Sequence, residues 1–212
     1  MRLLLPILLL ALLATLHAQD LADNPAALQQ RGHEHFFAGR FKEAIADYDA
    51  YLAAFPARAP HHWQRGLAYY YAGDYEKGVA QFESHQLVNR HDVENAVWHF
   101  LCVVRAKDGS VEKARKQFIP IVGDTRVPLK EVHALFAGIG TPEAVLTAAQ
   151  ANAEGELLRN QLCYAHLYLG LYYEALGDDN KSASHIKLAA TTYKMDHYMG
   201  QVAQVHHKLR SK

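Results

Sequence analysis

Apolar and polar positions follow a helical period along this chain, and the helical stretches come in pairs. Phe41, Ala44, Ile45, Tyr48, Tyr51 and Leu52 recur at three- and four-residue steps, which puts them on one stripe of a helix. Asn24-Pro25 opens the preceding helix, with Asn in the capping place and Pro in the first turn, and Gly39 closes it. The pattern predicts helices over about 25–38 and 41–54, with Pro56 ending the pair and Pro60 opening the next. Gln30-Arg31-Gly32 returns as Gln64-Arg65-Gly66, 34 residues on. At the same offset Gly39 returns as Gly73, Phe41 as Tyr75, Ala44 as Gly78 and Tyr48 as Phe82. A third pair is degenerate: Asp92 caps a helix through Ala106, Asp108-Gly109 turns it, and Pro120 stops the helix that begins at Val111.

From 119 to 153 the pattern lapses, with Pro128 and Thr141-Pro142 starting two short helices on either side of Gly138-Ile139-Gly140. A long helix is expected from about Glu156 to Leu176. Gly170 and Gly177 are spaced like Gly32 and Gly39, so a fourth pair follows, with Asp179 or Asn180 as its cap and Ser182 in the place of Ala44 and Gly78. A last helix, about Asp196–Leu209, carries Tyr198, Val202, Val205 and Leu209 on one stripe and is expected to cover the face that the last repeat leaves open.

A 34-residue unit of two helices and a glycine-marked turn resembles the tetratricopeptide (TPR) repeat. The likeness is carried most clearly by Arg65-Gly66-Leu67-Ala68-Tyr69 with Gly73-Asp74-Tyr75-Glu76-Lys77. It implies an all-α fold, a right-handed superhelical stack of TPR hairpins (an α-solenoid) with an irregular helical insert and a C-terminal capping helix. The expected organisation is a signal peptide over 1–18, three repeats over 19–118, the insert over 119–154, a fourth repeat over 155–192 and the capping helix over 193–212. Tyr168-Leu169-Gly170-Leu171-Tyr172-Tyr173, placed after an interruption and before a final repeat, is similar to the NlpI-like bacterial TPR proteins. That resemblance implies a periplasmic adaptor that docks other proteins, often as a dimer. The lipid-anchored Cys of that group has no counterpart near the expected cut, since the nearest cysteine is Cys102.

The leader reading rests on Arg2, the apolar run Leu3–Leu13 and a small residue at Ala18, where cleavage is expected. It predicts a secreted or periplasmic protein with no membrane attachment after cleavage. Lys and Arg number 22, as do Asp and Glu, so no net field draws nucleic acid or an anionic membrane. Two cysteines, Cys102 and Cys163, permit one disulfide or two buried thiols.

In the TPR plan the first helix of each repeat faces an inner groove. Gln29, His33 and Phe37, then Trp63, Leu67 and Tyr71, then Arg105 are the candidate partner-binding residues, while Phe36 and Tyr70 are expected to pack on neighbouring helices. An aromatic ladder with one Arg suits a peptide carrying a carboxylate. The 14 histidines prompt a metal test, but His33-Glu34-His35 has Phe37 where a second ligand is needed, and His61-His62 and His206-His207 are neighbours that point apart. A site assembled across helices from His99, His166 and His185 is the metal alternative. No nucleophile elbow, phosphate loop or Cys-x-x-Cys occurs. The expectation is therefore a non-catalytic adaptor without cofactor, holding a protein or peptide of unspecified identity. The alternatives are a metal-binding or catalytic protein using the inter-repeat histidines, and a structural homodimer.

Overall fold

The computed structural model describes residues 24–210. The expected leader and its cleavage site lie outside them, as do the last two residues. Among the described residues every regular element is helical, and there is no strand. The helices are α1 (Pro25–Phe37), α2 (Phe41–Ala54), α3 (Trp63–Ala72), α4 (Tyr75–Gln86), α5 (Val93–Arg105), α6 (Val111–Lys116), α7 (Leu129–Ala137), α8 (Pro142–Gln150), α9 (Gly155–Ala175), α10 (Asp179–Ala190) and α11 (Tyr198–Arg210), with a 3-10 turn at Pro56–His61 between α2 and α3.

Sequential neighbours pack as hairpins: α1 with α2, α3 with α4, α5 with α6, α7 with α8, and α9 with α10. Each hairpin also leans on the next, through α2 against α3, α4 against α5, α5 against α7 and α8 against α9. Cross-hairpin contacts show the repetition directly. Arg31 donates through Nε to Asp47 at 2.9 Å, and 34 residues later Arg65 donates through Nε to Gln81 at 2.9 Å. The glycines recur in the same way. A Cβ on Gly66 would stand 2.6 Å from Phe82 Cζ, one on Gly32 2.6 Å from Tyr48 Cδ1, and one on Gly170 2.6 Å from Ile186 Cδ1. In three hairpins the first helix is thus glycine where a large side chain of the second lies across it. Gly66→Ala is expected to cost about 1–3 kcal/mol through overpacking. Chemical denaturation measures this, and an unchanged midpoint would mean the two helices do not cross so closely. Gly73 ends α3 in the left-handed region at φ 83°, where glycine carries no Cβ penalty.

Side-chain caps fix several helix starts. Asp92, Ser110 and Thr141 accept from Glu94 N, Lys113 N and Ala144 N at 3.1, 3.0 and 3.2 Å. Two expected caps differ. Asn24 precedes α1 but its side chain caps nothing, leaving the start to Pro25. The cap of α10 is Asp178, which accepts from Lys181 N at 3.1 Å, rather than Asp179 or Asn180. The choice among three adjacent polar residues depends on where the preceding turn ends, which pattern alone does not fix to one residue.

The segment that breaks the repeat is anchored by charge. Arg126 reaches back to Asp92 at 2.7 Å, Asp124 at 2.6 Å and Glu94 at 2.5 Å. Glu94 also accepts from the Tyr168 hydroxyl of α9 at 2.6 Å. Burial pushes the Glu94 carboxyl up, against the pull of Arg126. Arg126 therefore fastens the insert to the start of α5, and Glu94 joins that end of α5 to α9. Cys102 and Cys163 are free, buried thiols. Cys102 fills the space beside Gly78, and burial pushes the Cys163 thiol up to about 11.

Candidate functional site

The seven candidate groove residues lie on α1, α3 and α5, and α11 runs among them. Tyr198, at the start of α11, is the centre of a ring cluster. Its centroid is 4.8 Å from Phe37, 5.9 Å from His33 and 6.1 Å from Phe36, all on α1, and 4.7 Å from Trp63 on α3. Further along α11, His206 Nδ1 lies 3.1 Å from the Tyr71 hydroxyl. Leu67 is fully buried. Phe36 and Tyr70 are buried in the core as well. So α11 packs on α10 and α9, as a capping helix would, and also crosses to α1 and α3. The stripe Tyr198, Val202, Val205 was legible in sequence. Its second contact, with the first two hairpins, was not, because a helix stripe carries no address.

Two openings among the described residues contain polar candidate residues. One, of about 350 Å³, is lined by Ala26, Gln29, Gln30, His33, Tyr51, Phe55 and Arg58. It joins the candidate residues Gln29 and His33 to a cation that the sequence reading did not select. The other, of about 190 Å³, is lined by Tyr70, Tyr71, Tyr75, Arg105, Glu174, His206, Leu209 and Arg210. Candidate residues Tyr71 and Arg105 stand here with an ion network centred on Glu174. Its carboxylate takes Arg105 on Oε1, and on Oε2 it takes His206 at 2.8 Å and Arg210 at 2.9 Å. Arg210 also donates to Ser182 Oγ at 2.6 Å and to Asp179 at 2.9 Å. Burial pushes the Glu174 carboxyl up, but the His206 hydrogen bond and the two arginines outweigh it and bring the pKa to about 2. Glu174, His206 and Arg210 were missed as site residues. The available signal was Glu174 itself, a lone acid in the apolar run Tyr168–Leu176.

The openings offer cations, ring faces and amide groups, which suits recognition of a polar chain. The histidines of the metal alternative separate. His99 stands 3.6 Å from Glu83, and burial pushes its pKa down against that carboxylate. His166 and His185 meet elsewhere, between α9 and α10. Among the described residues no group of three or more His, Cys, Asp or Glu is placed to hold a metal ion.

Buried histidines also set the acid response. His62 caps α3 by accepting from Arg65 N at 3.2 Å. Burial, aided by Arg65, lowers its pKa to about 4, and burial with His185 does the same for His166. Both pKa values lie below the ordinary 6.5, so the unfolded chain binds more protons between about pH 6.5 and 4. Stability is expected to fall as pH drops through that window, and His62→Gln is expected to flatten the slope. Urea midpoints across the range test this, and identical slopes for the two proteins would count against neutral, buried His62.

In comparisons with known proteins, no family model matches the chain, and no curated protein matches it. No helix among the described residues is long and apolar enough to cross a membrane.

Proposed function

We propose that this chain is a TPR-type adaptor, a non-catalytic interaction protein of the secreted or periplasmic space. On this reading the hairpins form a right-handed superhelical stack, and a peptide or protein partner docks at these two openings, one against α1 and α2 and the other beside α11. The observation that carries the reading is the repetition of the same cross-hairpin contacts, Arg31 to Asp47 and Arg65 to Gln81, Gly32 to Tyr48 and Gly66 to Phe82, at a constant 34-residue offset. Such stacks bury a continuous core and leave extended surfaces for binding.

Magnitudes bear on where a guest could sit. Burying the Met199, Val202 and Val205 side chains stabilises by roughly 6 kcal/mol, at about 2 kcal/mol each, and half-buried Tyr198 adds up to about 2 kcal/mol more. The sum is comparable to the whole free energy of a micromolar complex, about 8 kcal/mol. A guest competing for the ring cluster would also face a helix tethered at high effective concentration. Displacement of α11 is therefore disfavoured, and the openings that hold Gln29, His33 and Arg105 are the docking positions.

Crosslinking in the native compartment, followed by binding measurements with the partner it yields, tests this. Arg105→Ala, and Gln29→Ala with His33→Ala, are expected to weaken capture about tenfold or more, since a charge-assisted hydrogen bond is worth about 1.5–3 kcal/mol. The exposed control Lys130→Ala is expected to bind as the wild type does. Equal capture by all variants would reject both openings.

A further inference from the structure

Away from both openings, α9 and α10 bring two histidines edge to edge. His166 Nδ1 lies 2.8 Å from His185 Nδ1. Each ring stacks on a tyrosine, which leaves it free to turn within its own plane. His166 lies parallel to Tyr193, 5.1 Å between centroids with 2° between planes, and His185 lies nearly parallel to Tyr173 at 5.6 Å and 15°. Two imidazole nitrogens bound to one metal at about 2.0 Å, with a right angle between them, stand about 2.8 Å apart. The pair already has that spacing.

We propose that His166 and His185 form a two-histidine site for a divalent first-row transition metal, copper(II) above the others, with water completing the coordination. Copper(II) heads the affinity order for nitrogen donors, and its tetragonal geometry accepts two adjacent imidazoles with open positions beside them. The ligands must be neutral, and burial keeps them so by lowering both pKa values, that of His166 to about 4. Without the ion one ring donates from Nδ1 and the other accepts. On binding, both Nδ1 lone pairs turn to a shared vertex, and the donor ring carries its proton on Nε2 instead, so the neutral pair gains or loses none. Among the described residues no third protein ligand of the His, Cys, Asp or Glu type joins them, which makes the site open and exchangeable rather than a closed structural one. Because the two residues sit on the two arms of one hairpin, the ion would clamp α9 to α10. The site is independent of the adaptor reading, since neither opening contains either histidine.

Titration of the full chain with copper(II), followed by calorimetry and electron paramagnetic resonance, tests the proposal. One copper per chain at this pair, with coupling to two nitrogens, is expected. His185→Asn is expected to weaken that binding by about tenfold or more. His166→Phe, which keeps a ring against Tyr193, is expected to do the same, while the exposed pair His61→Asn/His91→Asn is expected to leave it unchanged. Equal affinity in wild type and His185→Asn, no nitrogen coupling, or loss of copper in the His61/His91 variant instead would overturn the assignment.

Discussion

Tyr198→Ala is expected to lower the unfolding free energy by about 3 kcal/mol, the low end of the range for truncating a packed aromatic ring. The low end applies because Tyr198 is half-buried rather than enclosed. The expected effect is large because one ring serves two hairpins, meeting Phe37 and His33 of α1 and Trp63 of α3. Removing it takes a shared wall from both and loosens the start of α11. Equilibrium urea unfolding, with far-ultraviolet circular dichroism to confirm a folded start, gives the number. A change below about 0.5 kcal/mol, the size of an ordinary surface substitution, would mean that α11 does not lie against α1 and α3.

Glu174→Ala carries the second large effect, about 3 kcal/mol. The carboxylate is mostly buried, hydrogen-bonds His206 and neutralises Arg105 and Arg210 together, and losing the acid of such a cluster leaves the two arginines uncompensated. His206 would keep its contact with Tyr71 but lose its carboxylate partner. The variant also carries a pH signature. The Glu174 pKa is held near 2, below its ordinary 4.5, so its stabilisation is complete above pH 4.5 and is lost as pH falls towards 2. Wild type is therefore expected to lose stability in that window, and the gap between wild type and Glu174→Ala is expected to close there. A gap that stays constant from pH 7 to 2.5 would show that the cost comes from packing rather than charge.

Local structure was written into this chain more fully than assembly was. Gly39, Gly73 and Gly177 marked three hairpin turns, and all three take positive φ. The small residues Gly32, Gly66 and Gly170 foretold close crossings, because only a missing side chain lets Tyr48, Phe82 and Ile186 approach so near. These features depend on residues within one hairpin, and a single sequence records them. The position of α11 depends on contacts more than a hundred residues apart, such as Tyr71 with His206. Nothing in the stripe Tyr198, Val202, Val205 distinguishes a helix that covers only α10 from one that also meets α1. For the same reason Arg105 was legible as a cation on α5, while Glu174, which engages it, was not. Arg126 is a further case: it lies in the segment where the repeat fails, and two of its three acidic partners, Asp92 and Glu94, become apparent only when that segment folds back on the start of α5.

The placement of the last helix against the first two hairpins decides where a partner can sit, and a double-mutant cycle between Trp63 and Tyr198 tests it most directly. Trp63→Ala, Tyr198→Ala and the double variant are unfolded in urea under one set of conditions. Rings whose centroids stand 4.7 Å apart at 77° are expected to couple by about 0.5–1.5 kcal/mol. Strict additivity of the two substitutions would contradict the account, because the two side chains would then not be in contact and the wall of α1 and α3 would be open along its length.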